Sequence, residues 1–168
     1  MEPLVTSADL LLRVVAIGIG ATAVMDAWLL MLQRLGVPTL DFALIGRWVG
    51  HLPQGRWFHA AIAKAPPVRC ERALGWLTHY AVGIGFAGLA VALQGEAWAR
   101  IPSLLPALCV GVLTVAAPWL VMQPAMGAGI AARKTPKPWA NRWRSLANHT
   151  VFGAGLYLAA AGLAWATR

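Results

Sequence analysis

The sequence has little charge, and little of that charge is acidic. Of its 168 residues only 12% are Asp, Glu, Lys or Arg, and six of these are acidic, whereas a soluble domain carries about 25% charged residues. That shortage, with 59% hydrophobic residues and a mean hydropathy of +0.63, excludes an ordinary water-soluble domain and places the chain in the membrane class. Cysteine is scarce as well. Cys70 and Cys109 form no Cys-x-x-Cys, so neither a thiol-redox motif nor a thiolate zinc site is on offer, and both read as ordinary small residues. A Ser-His-Asp order, a phosphate-cradling loop and a dinucleotide fingerprint are all missing. Gly18-Ile19-Gly20 and Gly127-Ala128-Gly129 are glycine pairs in apolar runs and read as packing notches. The amino terminus, Met1-Glu2-Pro3 with Asp9 following, lacks the positive charge of a secretory signal, so the first apolar run reads as a retained membrane helix.

A spanning helix takes about 20 apolar residues. Four runs reach that length, at about residues 10–35, 73–94, 103–129 and 145–167. The expected fold is an all-α polytopic membrane protein: a single domain over residues 1–168, built as a four-helix transmembrane bundle. Arg13, near the outer end of the first run, can snorkel. Eleven of the 14 Lys and Arg lie in two connections, about 36–72 with its flanks and 130–144. By the positive-inside rule both connections are cytoplasmic and both termini periplasmic. The net charge of +8 is thereby explained by orientation, and no nucleic-acid partner is expected. The basic, proline-stiffened stretch Arg133 to Trp139 suits anionic lipid headgroups.

The 36–72 connection is too long to be bare. It carries Gly46-Arg47-Trp48 and Gly55-Arg56-Trp57, and interfacial helices are expected over about 40–49 and 56–64. Trp48 and Trp57 read as headgroup anchors. His51 and His59 read as solvated or interfacial. His59 is the better ligand candidate of the two, because this loop can fold back over the helix ends.

Two helices carry the same pattern, His-x-x-x-Gly-x-Gly, at His79-Gly83-Gly85 and His149-Gly153-Gly155. This suggests a two-plus-two repeat. Each predicted helix holds one conspicuous polar residue: Asp26, His79, Gln123 and His149. Counted from the basic loops at about 1.5 Å per residue, all four sit at nearly one depth, roughly 6–12 Å below the cytoplasmic surface. Helical spacing puts Asp26 on a face with Gly18 and Thr22, and His79 on a face with Gly75 and Gly83. Such small-residue faces pack helix on helix in lipid, so the polar groups point into the bundle. On the lipid face Asp26 alone would cost about 2.5–3.5 kcal/mol. One reading is a hydrogen-bonded clasp that fixes helix order, in a structural subunit of a larger membrane complex. Three functional readings stand beside it. The first is an ion-, proton- or small-molecule site, with Thr22, Gln123 and Tyr80 lining a polar cavity. The second is haem b held by His79 and His149. The third is a divalent metal held by His79, His149 and Asp26, with His59 or Glu71 as weaker additions. Four helices are few for a transporter, so under the first reading a homo-oligomer or a partner membrane subunit is expected.

Several motifs, in order, carry a resemblance. They are Gly20-Ala21-Thr22 with Met25-Asp26-x-Trp28, Gly46-Arg47-Trp48, Gly75-Trp76-x-x-His79-Tyr80, Met122-Gln123-Pro124-Ala125-Met126-Gly127-x-Gly129, Thr135-Pro136, and Ser145-Leu146-x-x-His149-x-x-Phe152-Gly153-x-Gly155-Leu156-Tyr157. The chain resembles a group of small bacterial inner-membrane proteins catalogued as a domain of unknown function. The resemblance covers nearly the whole chain. It implies a bacterial four-helix membrane protein and no particular activity.

Overall fold

A computed structural model describes residues 7–167. Met1, Glu2, Pro3 and Arg168, on which the readings of the termini partly rest, lie outside the described residues. Helix α1 spans Ser7–Arg34, α2 Phe42–His51, α3 Glu71–Gln94, α4 Leu104–Leu113, α5 Gln123–Ala125 and α6 Pro138–Ala166. A π-helical turn, Pro118–Met122, joins α4 to α5. Among the described residues four segments are long and apolar enough to cross a membrane: Ser7–Arg34, Glu71–Gln94, Leu104–Ala125 and Pro138–Ala166. The protein is therefore a multi-pass helical membrane protein. Large apolar side chains such as Leu12, Leu77, Leu105 and Leu113 stand more than 60% exposed, which suits lipid and would be a liability in water.

Local chemistry sets the helix ends. Asp9 sits in the first turn of α1 and Arg34 in the last, each matching the helix dipole. Gly36, at φ +76°, stops the helix: its N–H donates to Gln33 O (3.0 Å) and that of Val37 to Leu32 O (2.9 Å). This is the paired hydrogen bonding of a left-handed glycine cap. Asp41 caps α2 by accepting from the Ala43 N–H at 2.9 Å. Pro138 begins α6, where its missing N–H costs nothing.

Helix α1 is central, with α3 on one side and α6 on the other. α6 also packs on α4, α2 packs on α3, and α3 and α4 barely touch. Close approach is made by small residues. A Cβ on Gly83 would collide with Thr22 of α1, one on Gly153 with α4, and one on Gly155 with the Ala21 backbone. In both halves the glycine four residues after the histidine meets the preceding spanning helix, which is how the repeated motif is used. The tight core, including Ile17, Ala21, Ala87, Val110, Phe152 and Leu156, fills the end of the bundle nearer the termini. The loop end is held open.

Three boundaries differ from the sequence expectation. The third span is not one helix over 103–129. It breaks after Leu113, resumes through the π turn at Pro118, and ends at Ala125 before Gly127 at φ +94°, because a proline removes a backbone donor inside the helix. The fourth begins at Pro138, seven residues early, and takes in part of the basic stretch. The expected helix over 56–64 is only a 3₁₀ turn, Ile62–Lys64.

Candidate functional site

Between α3 and the α4–α5 segment lies a cavity of about 670 Å³. That is the size of a small-molecule site, and such sites are mostly apolar with a few placed polar groups. α1 contributes Met25 and Leu29, α3 Val82 and Phe86, the broken span Pro118 and Val121, and α2 covers it with Phe42, Ile45 and Trp48. Among the polar groups on its wall are Thr22, His79, Gln123, Ser145, Asn148 and His149. Trp48, expected as a headgroup anchor, thus lines the cavity, and its Nε1 donates to the Trp57 carbonyl at 3.0 Å. Trp57 itself is exposed.

Asp26 stands behind His79 as seen from the cavity. Its Oδ1 lies 2.8 Å from His79 Nε2, and its Oδ2 accepts the Tyr80 hydroxyl at 2.8 Å. A carboxylate facing Nε2 fixes the proton there, which leaves Nδ1 as the acceptor of the neutral ring. The ring is packed against Phe42 and Trp76 and is 9% exposed. The second histidine is set by a neutral partner. Thr114 donates to the Gly111 carbonyl at 2.6 Å, and its Oγ1 lies 2.9 Å from His149 Nδ1. A hydroxyl has one hydrogen, so His149 Nδ1 carries the proton of that contact and Nε2 is the acceptor. Each histidine therefore has its tautomer fixed on one side and one acceptor nitrogen remaining.

The polar residues expected at one level divide into groups. Asp26, His79 and Tyr80 are hydrogen-bonded together. Gln123 donates to Ser145 Oγ at 3.3 Å, and its Oε1 is buried with no hydrogen-bond partner. Thr22 donates to the Gly18 carbonyl. Thr22, His79, Gln123 and His149 line the cavity, whereas Asp26 and Tyr80 do not. Among the described residues no three His, Cys, Asp or Glu side chains converge as a metal would need, so His79, His149 and Asp26 are not brought to one point. Glu71 is bound instead to Arg47, by 2.9 and 2.8 Å contacts, and accepts from the Val68 N–H. Sequence reasoning missed Thr114 and the Trp28–Asn148 bond of 2.9 Å. A threonine that bonds its own helix is unremarkable in an apolar run, and only the pairing of His149 with the preceding helix could have pointed to it.

His51 is not solvated: it is 2% exposed, with Nε2 3.0 Å from the Pro66 carbonyl. The His59 ring lies beside it, centres 5.1 Å apart, and both its nitrogens are buried without a partner, as is His51 Nδ1. An unpaired buried polar atom costs about 1–3 kcal/mol. Burial, then the neighbouring His51 and Arg56, push the His59 pKa below its ordinary value. The backbone here is pinned to the end of the third span, with His59 N–H donating to Ala125 O (2.8 Å) and Ile62 N–H to Met126 O (3.0 Å). Gly127 is required there because a Cβ would strike Ala60.

A family model described as "Protein of unknown function (DUF2938)" matches residues 15–163. No curated protein and no solved structure matches the chain.

Proposed function

The chain belongs to that family of proteins of unknown function, and we propose that it binds, and exchanges a proton with, a small and mainly apolar molecule in the cavity at the loop end of the bundle. The observation that carries this reading is the pair of histidines on a mainly apolar wall, each with its tautomer fixed by a partner and one acceptor nitrogen left over. Two acceptors ask for a ligand with hydrogen-bond donors, such as a hydroxyl or a protonated acid. Asp26 behind His79 fixes the orientation and tautomer of the ring through the 2.8 Å contact to Nε2. Tyr80, donating to the same carboxylate, keeps it oriented. We place the protein in the bacterial inner membrane with its two basic loops cytoplasmic, on the strength of the eleven loop cations.

The test is to purify the full chain in mild detergent and identify retained organic molecules by mass spectrometry, beside Ala117→Trp, which fills the cavity from its wall. The expected result is one retained species near stoichiometry, reduced at least tenfold in the variant at unchanged thermal midpoint. Retention equal in both would overturn the reading. The same sample tests the next reading, haem or metal on His79 and His149. A carboxylate-bonded imidazole is the usual form of a metal-ligating histidine, which favours that alternative. A Soret band that shifts on reduction, or a stoichiometric metal lost in His79→Ala, would carry it.

A further inference from the structure

We propose that His51 and His59 form a second site, outside the membrane cavity, that takes a borderline d-block divalent cation of the zinc class. His51 closes α2 and His59 follows the turn after it. The two rings are the only described imidazoles in mutual contact, with centres 5.1 Å apart. A tetrahedral ion about 2.0–2.1 Å from each ligating nitrogen lies about 3.2 Å from each ring centre, so two such ligands hold their centres about 5.2 Å apart. His51 Nε2 is engaged by the Pro66 carbonyl, which fixes the proton on that nitrogen and leaves Nδ1 as a lone pair, the outer contact typical of a ligating histidine. His51 Nδ1 and both nitrogens of His59 are buried and unpartnered. Two neutral rings packed as an aromatic pair would share the spacing, but would leave those nitrogens unsatisfied.

No third His, Cys, Asp or Glu joins the pair among the described residues. Water would complete the shell, and the site belongs to the exchangeable rather than the permanently filled class. Its place gives it an effect. A bound ion would join the end of α2 to the strip of backbone that pairs with Ala125 and Met126, tying the long loop to the end of the broken span.

The site stands independently of the cavity reading, and its test keeps the two apart. The full chain in mild detergent is titrated with Co²⁺ as a spectroscopic stand-in, and Zn²⁺ is then added in competition. One equivalent of Co²⁺ giving a tetrahedral ligand-field band, displaced by Zn²⁺, is expected of the native chain. His59→Gln should bind at least tenfold more weakly while keeping the native helical content. This variant decides the matter, because His51 is fully buried and its replacement can fail to fold. A native chain that takes up no Co²⁺ overturns the proposal. So does a band that survives in His59→Gln, or one lost in His79→Gln instead.

Discussion

Asp26 is the residue on which the candidate site turns, because it is the acidic group that both His79 and Tyr80 contact. Asp26→Asn keeps the shape and one acceptor but removes the charge. Hydrogen bonds to charged groups contribute about 1.5–3 kcal/mol, so the ligand retained by the native protein should fall by roughly tenfold or more, with circular dichroism unchanged. Full retention in that variant would show that the carboxylate serves packing alone. Arg47 makes the opposite kind of contribution. Its guanidinium holds both oxygens of Glu71 and donates to the Ala63 and Ala65 carbonyls at 3.2 and 3.1 Å. It thereby ties α2, the loop and the start of α3 together, and the hydrogen bond to Glu71 raises its pKa beyond its usual high value. Arg47→Ala should lower the thermal midpoint by several degrees. Arg47→Lys should recover only part of it, since an ammonium cannot make the forked contact. An unchanged midpoint in both would mean that α2 is held by packing alone.

At the scale of the element, the two glycines of one motif separate two causes that sequence cannot. Gly83 of α3 faces Thr22 of α1, and a Cβ there collides with its hydroxyl, whereas a Cβ on Gly85 meets nothing within 4 Å. Gly83→Ala should destabilise by about 1–3 kcal/mol through overpacking. Gly85→Ala should be neutral or better, gaining up to about 1 kcal/mol of helix propensity. Thermal midpoints of the two variants, measured side by side in one detergent, check this, and equal losses would contradict the packing described. The spans of α1 and α3 were legible because an uninterrupted apolar run has one solution in lipid, and Gly36 and Gly95 mark where it stops. The break in the third span was not. Pro118 sits in a run as apolar as its neighbours, and hydropathy is blind to a missing N–H. The early start of α6 was hidden for the converse reason, since its first turns are polar, with Asn141, Arg142 and Arg144 lying outside the apolar run.

At the scale of the whole molecule, helix rise and direction gave an expected depth for each of the four polar residues, but not their partners. Spacing puts His79 and Asp26 at one depth, but only the packing of α3 on α1 makes them touch, and the packing of α6 on α4 gives His149 to Thr114 rather than to Asp26. The proposed orientation of the whole bundle rests on the charge count of the loops, and the chain's own cysteines test it. Cys70 is exposed beside Arg69 in the long loop, and Cys109 is exposed within α4, on a segment apolar enough to cross a membrane. A membrane-impermeant maleimide needs water and a thiolate. It should therefore leave Cys109 unmodified on either side and reach Cys70 only from the side of the basic loops. With those loops cytoplasmic, intact spheroplasts should remain unlabelled and permeabilised ones should gain one label per chain, lost in Cys70→Ser. Labelling of Cys70 in intact spheroplasts would invert the bundle. The cavity, which lies at the end of the helices that bears those loops, would then face the periplasm, and the proton exchanged at His79 would come from that side.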